Sequence, residues 1–313
     1  MQLYPTPENP LPEGAICVPV RTHDGMELRA LRAAVENPRG TVILLGGRAD
    51  YMERYFETIR DFMARGFTVV AFDFRGQGGS QRLLPNPLRG HIRDFKEFDE
   101  DLRAVMTEVV LPHCVRPYHA IAHSTGGNIL LHNLRKQQWF DNAIILAPLI
   151  GLVYGNWPLW LVRILLFICT SLGFGWMFLP GQNRGPFGRK DFPGNPLSSD
   201  KKRWDRDTGI LEQFPHLGTG GPTFSWLKAA RKSMASLRAM KHRDLLACPV
   251  LIVAAGLDRV VDIEAMHRFT NRVSGVSVVV IRESLHEILS EHDEIRNQFL
   301  AMFEAFAGDR RWP

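Results

Sequence analysis

Ala122-His123-Ser124-Thr125-Gly126-Gly127 decides the reading of this chain. It follows the apolar run Tyr118–Ala122 and precedes the helix-like run Asn128–Lys136. Strand, tight turn with a serine at its apex, then helix is the layout of a nucleophile elbow. A sharp turn needs small residues two before and two after the serine, here Ala122 and Gly126. Such a turn lifts the hydroxyl clear of the sheet. It also aims the backbone N–H of Thr125 at any oxyanion formed there, beside a helix N-terminus. A plainer reading competes: Gly126-Gly127 as an ordinary strand-to-helix loop, with Ser124 as the helix N-cap.

Chain order separates the two. On this layout the serine is followed by an acid and then a histidine. Pro249–Ala255 reads as a buried strand followed by Gly256-Leu257-Asp258-Arg259. Val276–Ile281 reads as a further strand, followed by Glu283-Ser284-Leu285-His286-Glu287. The expected triad is therefore Ser124 as nucleophile, His286 as general base and Asp258 as the carboxylate that orients and stabilises the imidazole. Asp262, one helical turn further on, is the rival acid; Asp258 is preferred because it lies closer to the strand end. The second oxyanion donor is expected in the loop after the apolar strand Thr41–Leu45, which reads Gly46-Gly47-Arg48. By position the N–H of Arg48 is favoured, with Gly47 second, and Gly47 lets backbone approach substrate. The Arg48 side chain reads either as a surface arginine in a turn or as a reach toward a phosphate or fatty-acid carboxylate.

Outward from the elbow, strands and helices alternate. Ile16–Val20 and Leu28–Ala34 flank Asp24-Gly25 and predict an antiparallel hairpin. Thr41–Leu45, Val69–Phe72 and Ala143–Ala147 predict buried parallel strands, with helices over Glu53–Arg65 and Phe95–Val110. The chain thus divides into a first core segment (1–148), an insertion without clear strands (149–240) and a second core segment (241–313). The insertion opens on an apolar stretch, Pro158–Pro180, broken only by Arg163. Its hydropathy is that of a membrane span. A single span would set Ser124 and His286 on opposite sides of a bilayer and split one sheet. The stretch is therefore expected to form a helical lid, with Leu159, Leu165 and Phe167 against an acyl chain and part of its surface able to touch lipid.

The chain has 313 residues, a formal charge of +5 and 45% hydrophobic residues. That charge suits an anionic membrane surface or acidic substrates and is too weak to argue for nucleic-acid binding. Lys201-Lys202-Arg203-Trp204 and Lys228–Arg243 read as solvated faces or as an anchor to anionic lipid. Cys17, Cys114, Cys169 and Cys248 are far apart in apolar surroundings and predict buried free thiols in a reducing compartment. Met1–Glu13 lacks the pattern of a secretory signal. The expected location is cytoplasmic, with peripheral contact at the inner face of the membrane. Asp73–Ser80 is glycine-rich but has neither P-loop nor dinucleotide spacing. His286-Glu287-Ile288-Leu289-Ser290 lacks the second histidine of a zinc-protease motif. No cofactor and no metal are expected. His123 is expected to pack or hydrogen-bond below the turn.

These motifs resemble the serine hydrolases of the α/β-hydrolase superfamily, above all bacterial lysophospholipases and monoacylglycerol lipases. The likeness is carried by Gly47-Arg48 with Glu53-Arg54-Tyr55, Asp73–Gly78, Gly90-His91, His123–Gly127, Gly220-Gly221-Pro222-Thr223 with Trp226, Arg259–Asp262 and His286–Leu289. It implies an α/β-hydrolase fold, a mostly parallel sheet with helices on both faces and an inserted helical lid. It also implies hydrolysis of a single-acyl lipid ester through an acyl-serine intermediate. Other esters, thioesters or acyl transfer remain open. So does a non-catalytic lipid binder on the same fold. Aminopeptidase activity is disfavoured, because no Gly-Gly-Pro-Gly oxyanion loop is evident.

Overall fold

The computed structural model describes residues 1–154, 158–182, 185 and 192–308. The elements run β1 (Ala15–Arg21), β2 (Glu27–Ala33), β3 (Gly40–Leu45), α1 (Phe56–Ala64), β4 (Phe67–Phe72) and α2 (Lys96–Val105). A π-helical turn, Met106–Val110, joins α2 to the short α3 (Leu111–His113). Then come β5 (Tyr118–His123), α4 (Thr125–Asn133), β6 (Asn142–Leu146), α5 (Leu159–Ser171), α6 (Lys201–Gln213) and α7 (Phe224–Arg238). The chain closes with β7 (Val250–Ala255), α8 (Ile263–Thr270), β8 (Val276–Ile281) and α9 (Asp293–Gly308).

The eight strands form one sheet in the order β1-β2-β4-β3-β5-β6-β7-β8. β1–β2 is antiparallel, as the Asp24-Gly25 turn requires, and so is β2–β4; from β4 to β8 every pair is parallel. The central strands are buried along their whole length, because helices cover both faces. One face packs on α2, α4, α7 and α8, with Phe98, Leu130, Met234 and Met266 in that core. The other packs on α1 and α9 through Phe56, Phe62, Phe299 and Phe303. The expected α/β-hydrolase architecture is present.

Between β6 and β7 the described part of the insertion holds α5, α6 and α7 and no strand longer than an isolated bridge. Its residues 155–157, 183–184 and 186–191 lie outside the described ones. Pro158–Pro180 is not one helix. α5 ends at Ser171, and Gly173 takes a left-handed φ of 82° that a continuing helix excludes. Among the described residues no helix is long and apolar enough to cross a membrane. The thiols differ from expectation: only Cys248 is buried, the other three being half-buried, and all four are free. Burial pushes the Cys248 thiol up to about 12.

Candidate active site

The parallel strands β3, β5, β7 and the edge strand β8 all deliver their C-terminal loops to one rim, where ligands bind in open α/β sheets. Ser124 follows β5 at the apex of the turn with φ 51° and ψ −110°. Such a backbone is strained for a residue with a Cβ, and it persists only where its surroundings hold it. Ser124 N–H donates to the Leu146 carbonyl at 2.9 Å, and Leu149 N–H donates to the Ser124 carbonyl at 3.0 Å. Asn128 on α4 donates to the Leu149 carbonyl at 2.7 Å and accepts from Ser233 of α7 at 2.5 Å. The glycines are explained by contact. A Cβ on Gly126 would lie 2.5 Å from the Gly46 carbonyl oxygen, and one on Gly127 would lie 2.4 Å from Ile145. Ser124 does occupy the N-cap position of α4, but its hydroxyl makes no capping bond.

That hydroxyl lies 3.1 Å from His286 Nε2. His286 Nδ1 lies 2.7 Å from Asp258 Oδ2. A carboxylate only accepts, so Nδ1 carries the proton and Nε2 offers its lone pair to the serine. Asp258 is buried, which alone would raise its pKa. The His286 ring and the N–H groups of Val261 and Val260 outweigh burial and hold the carboxyl below its ordinary value. Those N–H groups donate to the other carboxylate oxygen, Oδ1, at 3.0 and 2.7 Å. Asp262, the rival acid, is engaged elsewhere: it caps α8 at Ala265 N–H and pairs with Arg268.

Gly47, Arg48 and Thr125 also meet at this rim. Thr125 is the first residue of α4. A Cβ on Gly47 would stand 3.3 Å from Ser124 Cβ and 3.0 Å from His123 Nδ1, so a side chain here would crowd both residues. The N–H of Gly47 donates to Asp50 Oδ2 at 2.5 Å, inside its own loop. The Arg48 guanidinium is not a surface group. It donates to the Gly220 carbonyl at 2.9 Å and stands 5.8 Å from the Trp226 ring centre. Burial lowers its pKa to about 10. His123 lies below the turn, its Nε2 3.2 Å from the His286 carbonyl oxygen.

The insertion meets expectation only in part. Leu165, with Leu152, Val162, Leu179, Phe224 and Leu227, lines an apolar cavity of about 230 Å³. Leu159 and Phe167 do not line it; they are exposed at 47% and 69%. The reason is helical geometry: residues 159, 160, 164, 167 and 168 share the outward face of α5, whereas 162, 165 and 166 turn inward. The run at Lys201–Trp204 is largely neutralised. Arg203 pairs with Glu57, Asp200 and Asp293, and Lys201 with Asp205.

Sequence reading missed the residues that hold the rim together. Gln77 brackets Arg48, donating to the Gly47 carbonyl at 3.0 Å and accepting from Ala49 N–H at 2.7 Å. Asp73 accepts from Met52 N–H at 2.9 Å and Gly79 N–H at 2.8 Å and pairs with the buried Arg29, which also pairs with Glu53. Asp73–Ser80 is therefore a structural loop beside the site, as the absence of P-loop and dinucleotide spacing suggests. Glu53-Arg54-Tyr55 reads in the sequence as the start of a helix and as part of the resemblance, with no role assigned to Arg54. No local spacing shows that Arg54 meets partners far away in the chain.

The sequence family described as serine aminopeptidase, S33, matches residues 36–293. Lysophospholipase L2 of Escherichia coli K12 is 30% identical over 292 residues, 88% of this chain and 82% of its own. The monoacylglycerol lipase of Mycolicibacterium smegmatis is 26% identical over 266 residues, covering 82% and 85% of the two chains. A solved soluble variant of monoglyceride lipase from Saccharomyces cerevisiae superposes with a TM-score of 0.70 over 93% of this chain and 95% of its own, at 18% identity. That last likeness speaks for the fold.

Proposed function

The chain belongs to the serine aminopeptidase S33 family of α/β hydrolases, and from that premise we propose that it hydrolyses the ester of a single-acyl lipid, a lysophospholipid or a monoacylglycerol, with Ser124, His286 and Asp258 as catalytic residues. The observation that carries the reading is the unbroken relay from Asp258 through His286 to a serine held at φ 51°. His286 Nε2 takes the hydroxyl proton as Oγ attacks the ester carbonyl carbon. The oxyanion accepts from the N–H groups of Thr125 and Arg48. The tetrahedral intermediate collapses, the C–O bond to the alcohol breaks, and His286 returns the proton to the departing alkoxide. Water then repeats the sequence on the acyl-serine. It loses a proton to His286, adds to the carbonyl carbon, and releases the fatty acid as Ser124 regains its proton.

The substrate class rests on two supports. The relatives that cover most of this chain are named for single-acyl lipids. The insertion supplies an apolar cavity and, outside it, an exposed apolar face, features that suit an acyl chain and a lipid surface. In this reading 149–240 is a lid, Leu165 contacts the acyl chain, and the outer face of α5 rests peripherally on the anionic cytoplasmic leaflet.

The test is covalent labelling by a fluorophosphonate, comparing wild type with Ser124→Ala, together with turnover over a chain-length series of esters. Labelling should vanish in the variant, and kcat/KM should rise toward long single-acyl lipids. A folded wild type that takes no label would overturn the catalytic reading. A preference for short acyl chains would overturn the substrate class.

A further inference from the structure

Arg54 is a half-buried cation, its side chain 15% exposed, that joins three separate segments of the rim. Its Nη1 lies 2.5 Å from Asp50 Oδ1, in the loop that carries Gly47 and Arg48. The same Nη1 lies 3.1 Å from Glu287 Oε1, and Nη2 contacts the other oxygen of that carboxylate. Glu287 is the residue after His286. The third side of the guanidinium, Nε, donates to Asp207 of α6 at 2.9 Å. Asp50 passes the link inward through Oδ2, which accepts from Gly47 N–H and Tyr55 O–H and lies 3.5 Å from His123 Nδ1. His123 in turn contacts the His286 carbonyl.

We propose that Arg54 is a positioning residue that sets the oxyanion loop in register with the loop carrying the catalytic histidine. The proposal rests on the reading of Ser124 and His286 given above. Its physical basis is the planar fork of arginine: five N–H donors can serve three carboxylates at fixed angles, which a lysine ammonium cannot do. The Nε bond to Asp207 fixes the plane of the fork. The two Nη groups then hold Asp50 and Glu287 at one separation. Moving either loop by an ångström would take the oxyanion donors or Nε2 out of line with Ser124, and errors of that size cost up to about 100-fold in rate. A buried charge cluster does not by itself argue for stability. Its value here is geometric.

Arg54→Lys tests this in the full chain, with turnover of a soluble ester and the rate of fluorophosphonate labelling both measured. We expect kcat to fall about 10–100-fold with KM within about 2-fold, and labelling to slow by a similar factor, since phosphorus attack uses the same donors. A merely structural residue would lower the melting temperature and leave the kcat of the folded fraction intact. That outcome, or wild-type rates, overturns the proposal. If Arg54→Lys does not fold, Asp207→Ala and Glu287→Ala each cut one arm. Both should lower kcat at least about 3-fold without changing KM, and wild-type kcat in both overturns the proposal. Wild type run alongside separates the two readings. An unlabelled wild type sinks the catalytic assignment, whereas a labelled wild type with an equally fast Arg54→Lys sinks only the role of Arg54.

Discussion

Gln77 grips the peptide on both sides of Arg48, its amide nitrogen 3.0 Å from the Gly47 carbonyl oxygen and its amide oxygen 2.7 Å from Ala49 N. Gly47 and Gln77 are thus locked at the point where the second oxyanion donor is expected. Ala49 takes a left-handed φ of 66°, which this clamp helps to hold. Gln77→Ala should free the Gly47–Ala49 segment and misalign Arg48 N–H. The expected result is a fall in kcat of about 10–100-fold with KM little changed, because the lost interaction forms only as charge develops on the oxygen. Steady-state kinetics on a soluble ester check it; a rise in KM at constant kcat would place Gln77 in ground-state binding.

The two candidate acids make opposite contacts, so they predict opposite phenotypes. Asp258→Asn keeps the shape but removes the charge beside His286 Nδ1 and favours the wrong tautomer; kcat should fall by about 10⁴-fold. Asp262→Asn removes a charge from the cap of α8, whose N–H partner is Ala265, and from the pair with Arg268. It should cost no more than about 1 kcal/mol of stability and leave kcat within about 2-fold. Paired measurements of turnover and denaturant midpoint separate the two. A kcat loss confined to Asp262→Asn would reassign the acid.

The proposed triad is legible because each of Ser124, Asp258 and His286 follows an apolar run that reads as a buried strand, in the order Ser–acid–His expected of the fold. Gly126 and Gly127 were legible for the same local reason: steric demand at a sharp turn leaves a trace in the sequence. The supporting shell was not. Gln77, Asp50, Arg54 and Asp207 are polar residues in loops and helix ends, and their partners are brought together only by the closure of the sheet. α5 is hard to read for a different reason. It is apolar nearly all round, so hydropathy could not say which of Leu159, Leu165 and Phe167 turn inward. The structure turns Leu165 in and the other two out.

Glu57 on α1 carries a pH-dependent part of the attachment of the insertion. It pairs with Arg203 and Arg206 of α6 at 2.5 Å each. Burial alone would raise its pKa, but the Arg203 hydrogen bond and the charges of Arg296, Arg206 and Arg203 outweigh burial and bring it down to about 2. A carboxyl lowered on folding gives stability that is complete above its unfolded pKa and lost as pH falls through the folded one. The window is therefore from the ordinary value of 4.5 down to about 2. The side chain is 26% exposed, so we expect about 1–2 kcal/mol rather than the full shift. Glu57→Gln should lower stability by that amount at pH 7, and the gap to wild type should narrow at pH 3. Denaturant melts of both proteins at the two pH values check this; a gap that stays constant would show that the ionised carboxylate contributes nothing.

The outward face of α5 makes a prediction that the inward face does not. Trp160, Ile164 and Phe167 are exposed at 64%, 46% and 69%, on one side of the helix, with Arg163 exposed beside them. Inserting such side chains into the boundary of a bilayer recovers the free energy of apolar burial, on the order of 1 kcal/mol or more for each. Replacing all three by serine should therefore weaken binding to vesicles containing phosphatidylglycerol by at least about 100-fold. The same variant should turn over a short soluble ester at the wild-type rate, since none of the three lines the cavity beneath the helix. Narrowing that cavity with Leu165→Trp should do the reverse, leaving vesicle binding intact and penalising long acyl chains more than short ones. Vesicle sedimentation and the chain-length series, run on both variants, check the division. Unchanged sedimentation of the triple variant would show that the exposed face does not seat on lipid. Equal losses on long and short esters in Leu165→Trp would remove the cavity from the acyl path.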